Sequence, residues 1–313
     1  MPAAPDSARP AAAGAAVPGR PAGTLWRALP GLVRWPNLVI MLLSLVLVRS
    51  LLLRGQPLAE VLLAPRFGLL VLAALLVAAA GYIINDYYDV KIDAINRPDR
   101  LVVGRLLGRR KAMLAHVVLS GAGVLLAVLS GAGKRQALLI GLVTLGAALL
   151  LWGYSARFKR VALVGNLSIG LLTAALVLLP ELQLLTARKA VWLYALAAFL
   201  LTVVREIVKD LEDMRGDAQH DCRTLPLVWG VARSKWVAGV FLAALAVLVL
   251  GAVVQLPALG RWPLAAWLLA LVVLPLGWLT RLLWVADRRR HFRQLSAWCK
   301  AIMLAGVLSM LLA

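Results

Sequence analysis

Two groups of acidic side chains interrupt a chain that is otherwise strongly apolar. The first acidic motif consists of Asn85, Asp86, Asp89 and Asp93, and it directly follows the apolar run at 67–84. On a helix these positions recur on successive turns of one face. Because moving carboxylates from water into hydrocarbon is costly, acids at this place must pair with cations, face an aqueous cavity or bind metal.

A second acidic motif repeats the spacing of the first. It consists of Asp210, Asp213 and Asp217, and Glu206 stands one helical turn before it. Both motifs contain D-x-x-D-x-x-x-D after an apolar run, which indicates a weak repeat in which the first four spans are echoed by the next four. For either motif alone, a charged helix end exposed to water is the simpler interpretation.

Considered together, the two motifs predict a metal site. Acids from two helix ends in one cavity would repel each other strongly unless divalent cations lay between them. Oxygen ligands without His or Cys suit Mg²⁺, which keeps water and phosphate oxygens in its coordination shell. We therefore expect both motifs to hold Mg²⁺ together with a phosphate or diphosphate. The predicted metal ligands are Asn85, Asp86, Asp89, Asp93, Asp210, Asp213 and Asp217.

The composition places these motifs in a membrane protein. Of the 313 residues, 62% are hydrophobic and only 15% are charged, well above the roughly 45–50% apolar content of soluble domains. About nine apolar runs are long enough to cross a bilayer, so we predict an all-α bundle of about nine transmembrane helices in which helical loops on the cytoplasmic side cap the site. The predicted spans are 36–53, 67–87, 112–130, 136–152, 161–179, 190–208, 236–256, 262–284 and 297–313.

The positive charge of the chain predicts its orientation. Its 34 Lys and Arg outnumber 14 Asp and Glu, for a net charge of +20. Such an excess could indicate nucleic-acid binding in a soluble protein, but here it lies in short loops and favours the positive-inside interpretation without nucleic acid. The amino terminus and the loops that carry both motifs, 88–111 and 209–235, are predicted to be cytoplasmic. Residues 1–33 are predicted to be a disordered tail, and residues 34–313 a single transmembrane domain.

The motifs resemble those of the UbiA-type intramembrane prenyltransferases. Besides the two acidic motifs, the resemblance includes Arg34-x-x-Asn37 before the first span, Asn96-Arg97-Pro98-Asp99-Arg100 after the first motif, and Tyr154-Ser155 with Lys159. It extends from about Arg34 to the last helix. Leu101 departs from the family pattern, which commonly has Pro there.

The resemblance implies a reaction as well as a fold. It implies that metal ions on both motifs bind the diphosphate of a prenyl donor, and that Asp86, Asp89, Asp213, Asp217 and Tyr154 act in catalysis. Tyr154 could instead be an interfacial anchor. The segment at 205–226 most resembles the geranylgeranylglycerol-phosphate geranylgeranyltransferases, which implies a geranylgeranyl donor, a geranylgeranylglyceryl phosphate acceptor and an ether lipid precursor as product.

Several polar residues are implied to contact the substrates. These predicted substrate-binding residues are Asn37, Lys91, Arg100, Lys159, Asn166, Arg205 and Lys209. Lys91 and Lys209 could instead pair with an acid on an adjacent turn. For Asn37 and Asn166, a contact between helices is as consistent with the sequence as a substrate contact.

Other classes of membrane protein also combine apolar spans with acidic motifs. The same fold could prenylate an aromatic acceptor in quinone or related biosynthesis, and only the 205–226 segment favours the glycerol phosphate. A transporter would place its acids near the bilayer midplane, whereas these acids follow spans two and six. A CDP-alcohol phosphotransferase would carry Gly and Arg between its acids, a pattern that is absent here. The sequence does not indicate an oligomeric state.

Overall fold

The computed structural model describes residues 23–54, 57–96, 101–219 and 222–313. Within these ranges the chain forms twelve α-helices and no β-strand. π-Helical turns occur at Val48–Arg54 and Leu269–Val273. The α-helices are α1 (Gly23–Leu32), α2 (Trp35–Leu47), α3 (Leu58–Leu63), α4 (Pro65–Asn96), α5 (Arg109–Leu129), α6 (Lys134–Ala156), α7 (Val164–Leu184), α8 (Lys189–Ala218), α9 (Leu225–Gln255), α10 (Trp262–Leu268), α11 (Leu274–Val285) and α12 (Arg289–Ser309).

The described residues contain nine helical segments that are long and apolar enough to cross a membrane, which confirms the predicted all-α bundle. Most of these segments extend past the predicted ends, because helices continue into polar residues at the membrane surface. The nine segments are Trp35–Leu53, Pro65–Val90, Arg109–Leu129, Lys134–Ala156, Val164–Leu184, Lys189–Met214, Leu225–Leu259, Trp262–Val285 and Arg289–Leu312.

The largest difference from the predicted spans is at the start of α9. The predicted span begins at residue 236, after a polar stretch, but the helix begins at Leu225. Pro226 lies in its first turn, where the missing N–H of proline is not needed. Gly230 has a positive φ of 82°, so the helical path is interrupted there before the apolar part of α9 begins.

The two acidic motifs lie at the ends of the two long helices α4 and α8, as the sequence predicted. These helices have 32 and 30 residues, and both continue beyond their membrane-spanning parts. No proline interrupts either helix after its first residue. The motif spacing therefore gives a stripe along one face at each helix end.

The segments on the motif side of the bundle are connected to each other. A short 3₁₀ turn at Phe158–Arg160 follows α6, and the carbonyl of Arg160 accepts a hydrogen bond of 2.9 Å from the N–H of Arg223. This contact connects the segment after α6 to the one after α8, close to the second acidic motif.

The predicted amino-terminal tail, residues 1–33, lies only partly within the described residues. Residues 1–22 lie outside them, whereas 23–32 form α1. Leu32 is 1% exposed and packs in a cluster with Ile83, Val103 and Ala112. The predicted division of the chain at residues 33 and 34 stays a prediction.

Separate apolar clusters stabilise the two sides of the bundle. The largest packs α8 against α9, α11 and α12 through residues such as Val204, Leu242 and Leu279. Another packs α2 and α4 against α5, α6 and α7, with Phe67 and Leu70 at its centre. Between membrane spans such clusters are stabilised mainly by van der Waals contacts rather than by removal from water, and residues from both sides line one cavity.

Candidate active site

Both acidic motifs face one large cavity. The cavity has a volume of about 2240 Å³, and its wall includes Asp86 and Asp89 from α4 and Asp213 and Asp217 from α8. Away from the motifs the wall is largely apolar and is formed by side chains such as Leu176. The cavity is larger than the roughly 300–1,000 Å³ of an ordinary ligand pocket, so it has room for more than one long substrate.

The acids of the first motif contact cations from other parts of the chain. Asp86 accepts a contact of 3.4 Å from Arg34, which precedes α2. Asp89 lies 2.5 Å from the ammonium of Lys159 and also accepts a hydrogen bond of 3.0 Å from Asn85. Two acids of the first motif therefore pair with cations from other segments, Asp86 with Arg34 before α2 and Asp89 with Lys159 after α6.

Residues at the start of α2 contact Tyr82 on α4, on the same side of the site. The guanidinium of Arg34 lies 4.9 Å from the ring centre of Tyr82, within the range of a cation–π contact. The side-chain amide of Asn37 donates a hydrogen bond of 3.2 Å to the Tyr82 hydroxyl. Asn37 also lines the cavity, so the structure gives it a contact between helices and access to a ligand.

The Lys159 ammonium is held in a partly buried position. Its side chain is 13% exposed, and it extends from the 3₁₀ turn after α6. Burial lowers the pKa of Lys159, and the neighbouring Asp89 carboxylate partly offsets this effect. Gly165 fits closely against the same turn, because a Cβ there would lie 2.9 Å from both the Lys159 Cα and the Phe158 carbonyl oxygen.

A small pocket lies beside the main cavity. Its wall includes Tyr154, Lys159, Asn166, Glu206 and Asp210. Asn166 is 5% exposed and donates a hydrogen bond of 2.8 Å to Asp210. Tyr154 borders both spaces, which gives the predicted catalytic tyrosine access to the site as well as a place near the membrane boundary.

The acids of the second motif contact polar groups from α12 and from the residue before α9. Asp213 lies 3.9 Å from Arg289, and the neighbouring Glu212 lies 3.2 Å from Arg293. Asp217 accepts a hydrogen bond of 3.3 Å from the Thr224 hydroxyl. Burial, followed by repulsion from Asp213, raises the pKa of Asp217. A cation bound between these two acids would reduce their mutual repulsion.

One buried acid stands between two cations on α8. Glu206 has a side chain that is 8% exposed, and its oxygens lie 2.5 Å from Arg205 and 3.9 Å from Lys209. Lys209 therefore contacts an acid on an adjacent turn, which is one of the two interpretations of its sequence position. It also lines the cavity with Arg205, so both remain candidates for substrate contact.

Most of the predicted site residues come together on this cavity. Asn166 is an exception, because it contacts Asp210 on the small pocket and does not line the main cavity; its direct contact with a substrate stays a prediction. Lys91 and Asp93 lie in α4, but their side chains, like all of Arg100, are outside the described residues. The predicted residues that line the main cavity are Asn37, Asn85, Asp86, Asp89, Tyr154, Lys159, Arg205, Lys209, Asp210, Asp213 and Asp217.

Arg34, Glu206, Arg289 and Arg293 also line the cavity but were not among the predicted site residues. Arg34 and Glu206 were visible as parts of the motifs, at the start of Arg34-x-x-Asn37 and one turn before the second acidic motif. Arg289 and Arg293 lie far along the chain and look like ordinary positive-inside residues. Only the packing of α12 against α8 brings them to Asp213 and Glu212.

The chemistry of the acids fits Mg²⁺. Among the described side chains, no three acidic, His or Cys residues converge closely enough to hold a metal ion in this arrangement. The acids instead contact cations, an amide and a hydroxyl. Carboxylate oxygens from two helix ends that face one cavity are nevertheless the donors that Mg²⁺ prefers. The metal ligands named from the sequence stay a prediction.

Three solved structures share this fold. A digeranylgeranylglyceryl phosphate synthase structure superposes with a TM-score of 0.69 over 92% of this chain and 99% of that chain, at 21% identity. A UbiA homolog from Aeropyrum pernix K1 gives a TM-score of 0.63 over 87% and 97%, at 18% identity. A UbiA homolog from Archaeoglobus fulgidus bound to GPP and Mg²⁺ gives 0.60 over 90% and 99%, at 16% identity.

Curated relatives are more similar in sequence. The digeranylgeranylglyceryl phosphate synthase of Methanopyrus kandleri is 36% identical over 175 residues, which cover 56% of this chain and 62% of that protein. That of Pyrococcus abyssi is 36% identical over 176 residues, or 56% and 61%. Both alignments cover less than two thirds of the relative. The synthase of Korarchaeum cryptofilum is 32% identical over 252 residues, or 78% and 85%.

The family assignment rests on a match that covers most of the chain. The model of the UbiA prenyltransferase family matches residues 43–303, a range that contains both acidic motifs and all the helices from α4 to α11. Together with the shared helical bundle and the relative from Korarchaeum cryptofilum, this match identifies the chain as a member of the UbiA prenyltransferase family.

Proposed function

We propose that this protein is a Mg²⁺-dependent membrane prenyltransferase that transfers a geranylgeranyl group from its diphosphate to geranylgeranylglyceryl phosphate. The product is an ether lipid precursor, and diphosphate is released. The observation that carries the proposal is that both acidic motifs line one large cavity whose wall away from the motifs is largely apolar. The relatives named digeranylgeranylglyceryl phosphate synthase support this choice of acceptor.

The acidic end of the cavity is the proposed site of the donor diphosphate. Mg²⁺, when bound, neutralises the charge that develops on the diphosphate as its bond to the prenyl carbon breaks. A relative determined with GPP and Mg²⁺ supports this assignment. The residues that would hold the metal are Asn85, Asp86, Asp89, Asp93, Asp210, Asp213 and Asp217.

The cations of the chain contribute to the same step. Arg34 and Lys159 lie within ion-pair distance of Asp86 and Asp89, so they are within reach of a diphosphate bound between the motifs. Their N–H groups donate to phosphate oxygens and stabilise the leaving group as its charge increases. Lys209 lines the cavity at the second motif and has the same role there.

The apolar part of the cavity binds the prenyl chains. Its wall includes side chains from α2, α6, α7 and α9, such as Met41, Leu151, Leu172 and Leu248. This apolar wall surrounds the prenyl chains and keeps water away from the reactive carbon. Transfer to the acceptor is therefore favoured over hydrolysis.

The protein is a multi-pass membrane protein, and we propose that its acidic site faces the cytoplasm. The basic residues near the motif ends of the helices support this orientation through the positive-inside rule. A diphosphate donor made in the cytoplasm would reach a site on that side without crossing the membrane.

The direct experiment uses the full chain purified in detergent with Mg²⁺. Geranylgeranyl diphosphate is supplied with geranylgeranylglyceryl phosphate, and diphosphate release and product mass are measured. We expect a product that carries both chains, loss of turnover with EDTA, and recovery when excess Mg²⁺ is added. An aromatic acid is supplied in parallel. Prenylation of the aromatic acid while the glyceryl phosphate stays unchanged would overturn the proposed acceptor.

A further inference from the structure

A row of basic and polar side chains lines the cavity beside the second acidic motif. It consists of Arg289, Arg293, Ser296 and Lys300 on α12, which we call the basic stripe. Their spacing repeats every three or four residues, so all four lie on one helix face. The stripe begins beside Asp213 and continues into the membrane-spanning part of the chain.

Lys300 is the most unusual member of the stripe. It lies near the middle of the span Arg289–Leu312, and its side chain lines the cavity. It makes no ion pair or hydrogen bond with any residue that the structure describes. A cation within a membrane span is costly unless it has an anionic partner, and such residues usually mark a substrate site.

The two arginines of the stripe keep most of their hydrogen-bonding capacity. The side chains of Arg289 and Arg293 are 63% and 73% exposed. Arg289 approaches Asp213 no closer than 3.9 Å, and Arg293 contacts Glu212 through one nitrogen at 3.2 Å. A guanidinium carries five N–H donors and binds phosphate in a forked geometry. Both arginines can therefore take a phosphate while they remain near the acids.

The reaction proposed above includes two anionic groups, and they repel each other. Arg34 and Lys159 are positioned for the donor diphosphate on the α4 side of the cavity. The phosphate of the acceptor needs a separate set of cations at a distance from that diphosphate, because two phosphates at one place would repel strongly. Arg293 and Lys300 on α12 line the same cavity and pair with neither Asp86 nor Asp89, so they can form such a set.

We infer that the basic stripe of α12, through Arg293 and Lys300, binds the phosphate monoester of the acceptor lipid and thereby selects a phosphorylated acceptor. This inference rests on the proposed function, because it assigns the acceptor of that reaction to one wall of the same cavity. The stripe starts beside Asp213 and continues along α12 within the span Arg289–Leu312, so it can hold the phosphate of a lipid whose chains lie in the apolar part of the cavity.

The experiment compares two acceptors with matched variants. Arg293→Gln and Lys300→Gln each remove one charge from the stripe, and Arg290→Gln removes one charge from an exposed residue of α12 that does not line the cavity. The acceptors are geranylgeranylglyceryl phosphate and geranylgeranylglycerol, which lacks the phosphate. KM is measured for each acceptor and for the donor, and the melting temperature is measured for each variant.

A loss that depends on the phosphate is the expected result. The KM for the phosphorylated acceptor rises about tenfold or more in Arg293→Gln and Lys300→Gln, while the KM for the donor and for geranylgeranylglycerol stays within twofold. Arg290→Gln behaves as wild type, and Lys300→Arg recovers most of the affinity. An equal KM rise with both acceptors, or no rise in Arg293→Gln, would overturn the inference.

Two further outcomes separate this inference from the proposed function. If the wild type uses both acceptors with equal KM, the stripe does not bind the phosphate, but the prenyl transfer itself still stands. If the wild type uses neither acceptor, the proposed function fails before any variant is tested. Dioleoyl phosphatidic acid is added as a competitor. If it inhibits as strongly as non-reactive analogues of geranylgeranylglyceryl phosphate, the stripe binds membrane lipids in general, and its role in selecting the acceptor is overturned.

Discussion

The Lys159 ammonium lies 2.5 Å from the Asp89 carboxylate and connects the turn after α6 to the first acidic motif at the end of α4. These residues are 70 positions apart in the sequence. Because both side chains are mostly buried at 13% and 18% exposure, the contact is screened less than a surface ion pair. The cation is thus fixed beside the proposed diphosphate site before any substrate binds.

The first prediction concerns this cation. Lys159→Met removes a charge that stabilises the leaving diphosphate, so we expect kcat to fall about 100-fold, whereas Lys159→Arg keeps a larger part of the activity. Diphosphate release at saturating substrate measures the effect. Lys134→Met serves as the control, because Lys134 is exposed at the start of α6 and does not line the cavity. Full activity in Lys159→Met would show that this ion pair is only structural.

A second prediction tests the two acidic motifs together. Asp89→Ala and Asp213→Ala each remove a proposed metal ligand from one helix end, and we expect either change to lower turnover at least about 100-fold. The folded protein should remain, since both side chains face the cavity. Size-exclusion elution and diphosphate release are measured for each variant, together with Asp287→Ala, an exposed acid outside the cavity. Near-full activity in either motif variant would exclude a site formed by both helices.

The third prediction separates two roles of Asn166. Its amide donates to Asp210, so Asn166→Leu leaves a proposed metal ligand without its buried partner. We expect the Mg²⁺ concentration at half-maximal activity to rise about 10–100-fold, while the KM for each substrate changes little. A large rise in one substrate's KM at saturating Mg²⁺ would instead support the direct substrate contact that the sequence allows.

A fourth prediction concerns the close fit around Lys159. A Cβ at Gly165 would meet backbone atoms of Phe158 and Lys159 at 2.9 Å, so Gly165→Ala must displace the turn that carries Lys159. We expect a loss of about 1–3 kcal/mol in stability and a lower kcat. Gly146→Ala is the matched control, because nothing lies within 4 Å of its Cβ position on α6. Thermal unfolding in detergent compares them, and equal melting temperatures would contradict the prediction.

The sequence by itself determined the class of the protein and indicated both halves of the proposed site. Long apolar runs can satisfy their backbone groups in a bilayer only as helices, so their number and order predicted the bundle. The acids at the ends of the second and sixth spans were conspicuous because charge is costly next to hydrocarbon. Their helical spacing predicted one acidic face at each helix end, and Asp86, Asp89, Asp213 and Asp217 all line the cavity.

Only the tertiary structure decided which cations meet those acids. Local spacing reports neighbours on one helix, whereas Arg34, Lys159, Arg289 and Arg293 reach the motifs from other helices and turns. In the sequence the arginines of α12 cannot be distinguished from ordinary positive-inside residues, because both kinds follow the same rule. Lys300 shows the same limit: its place on the cavity wall depends on how α12 packs against α8, a contact between distant parts of the chain that no local pattern encodes.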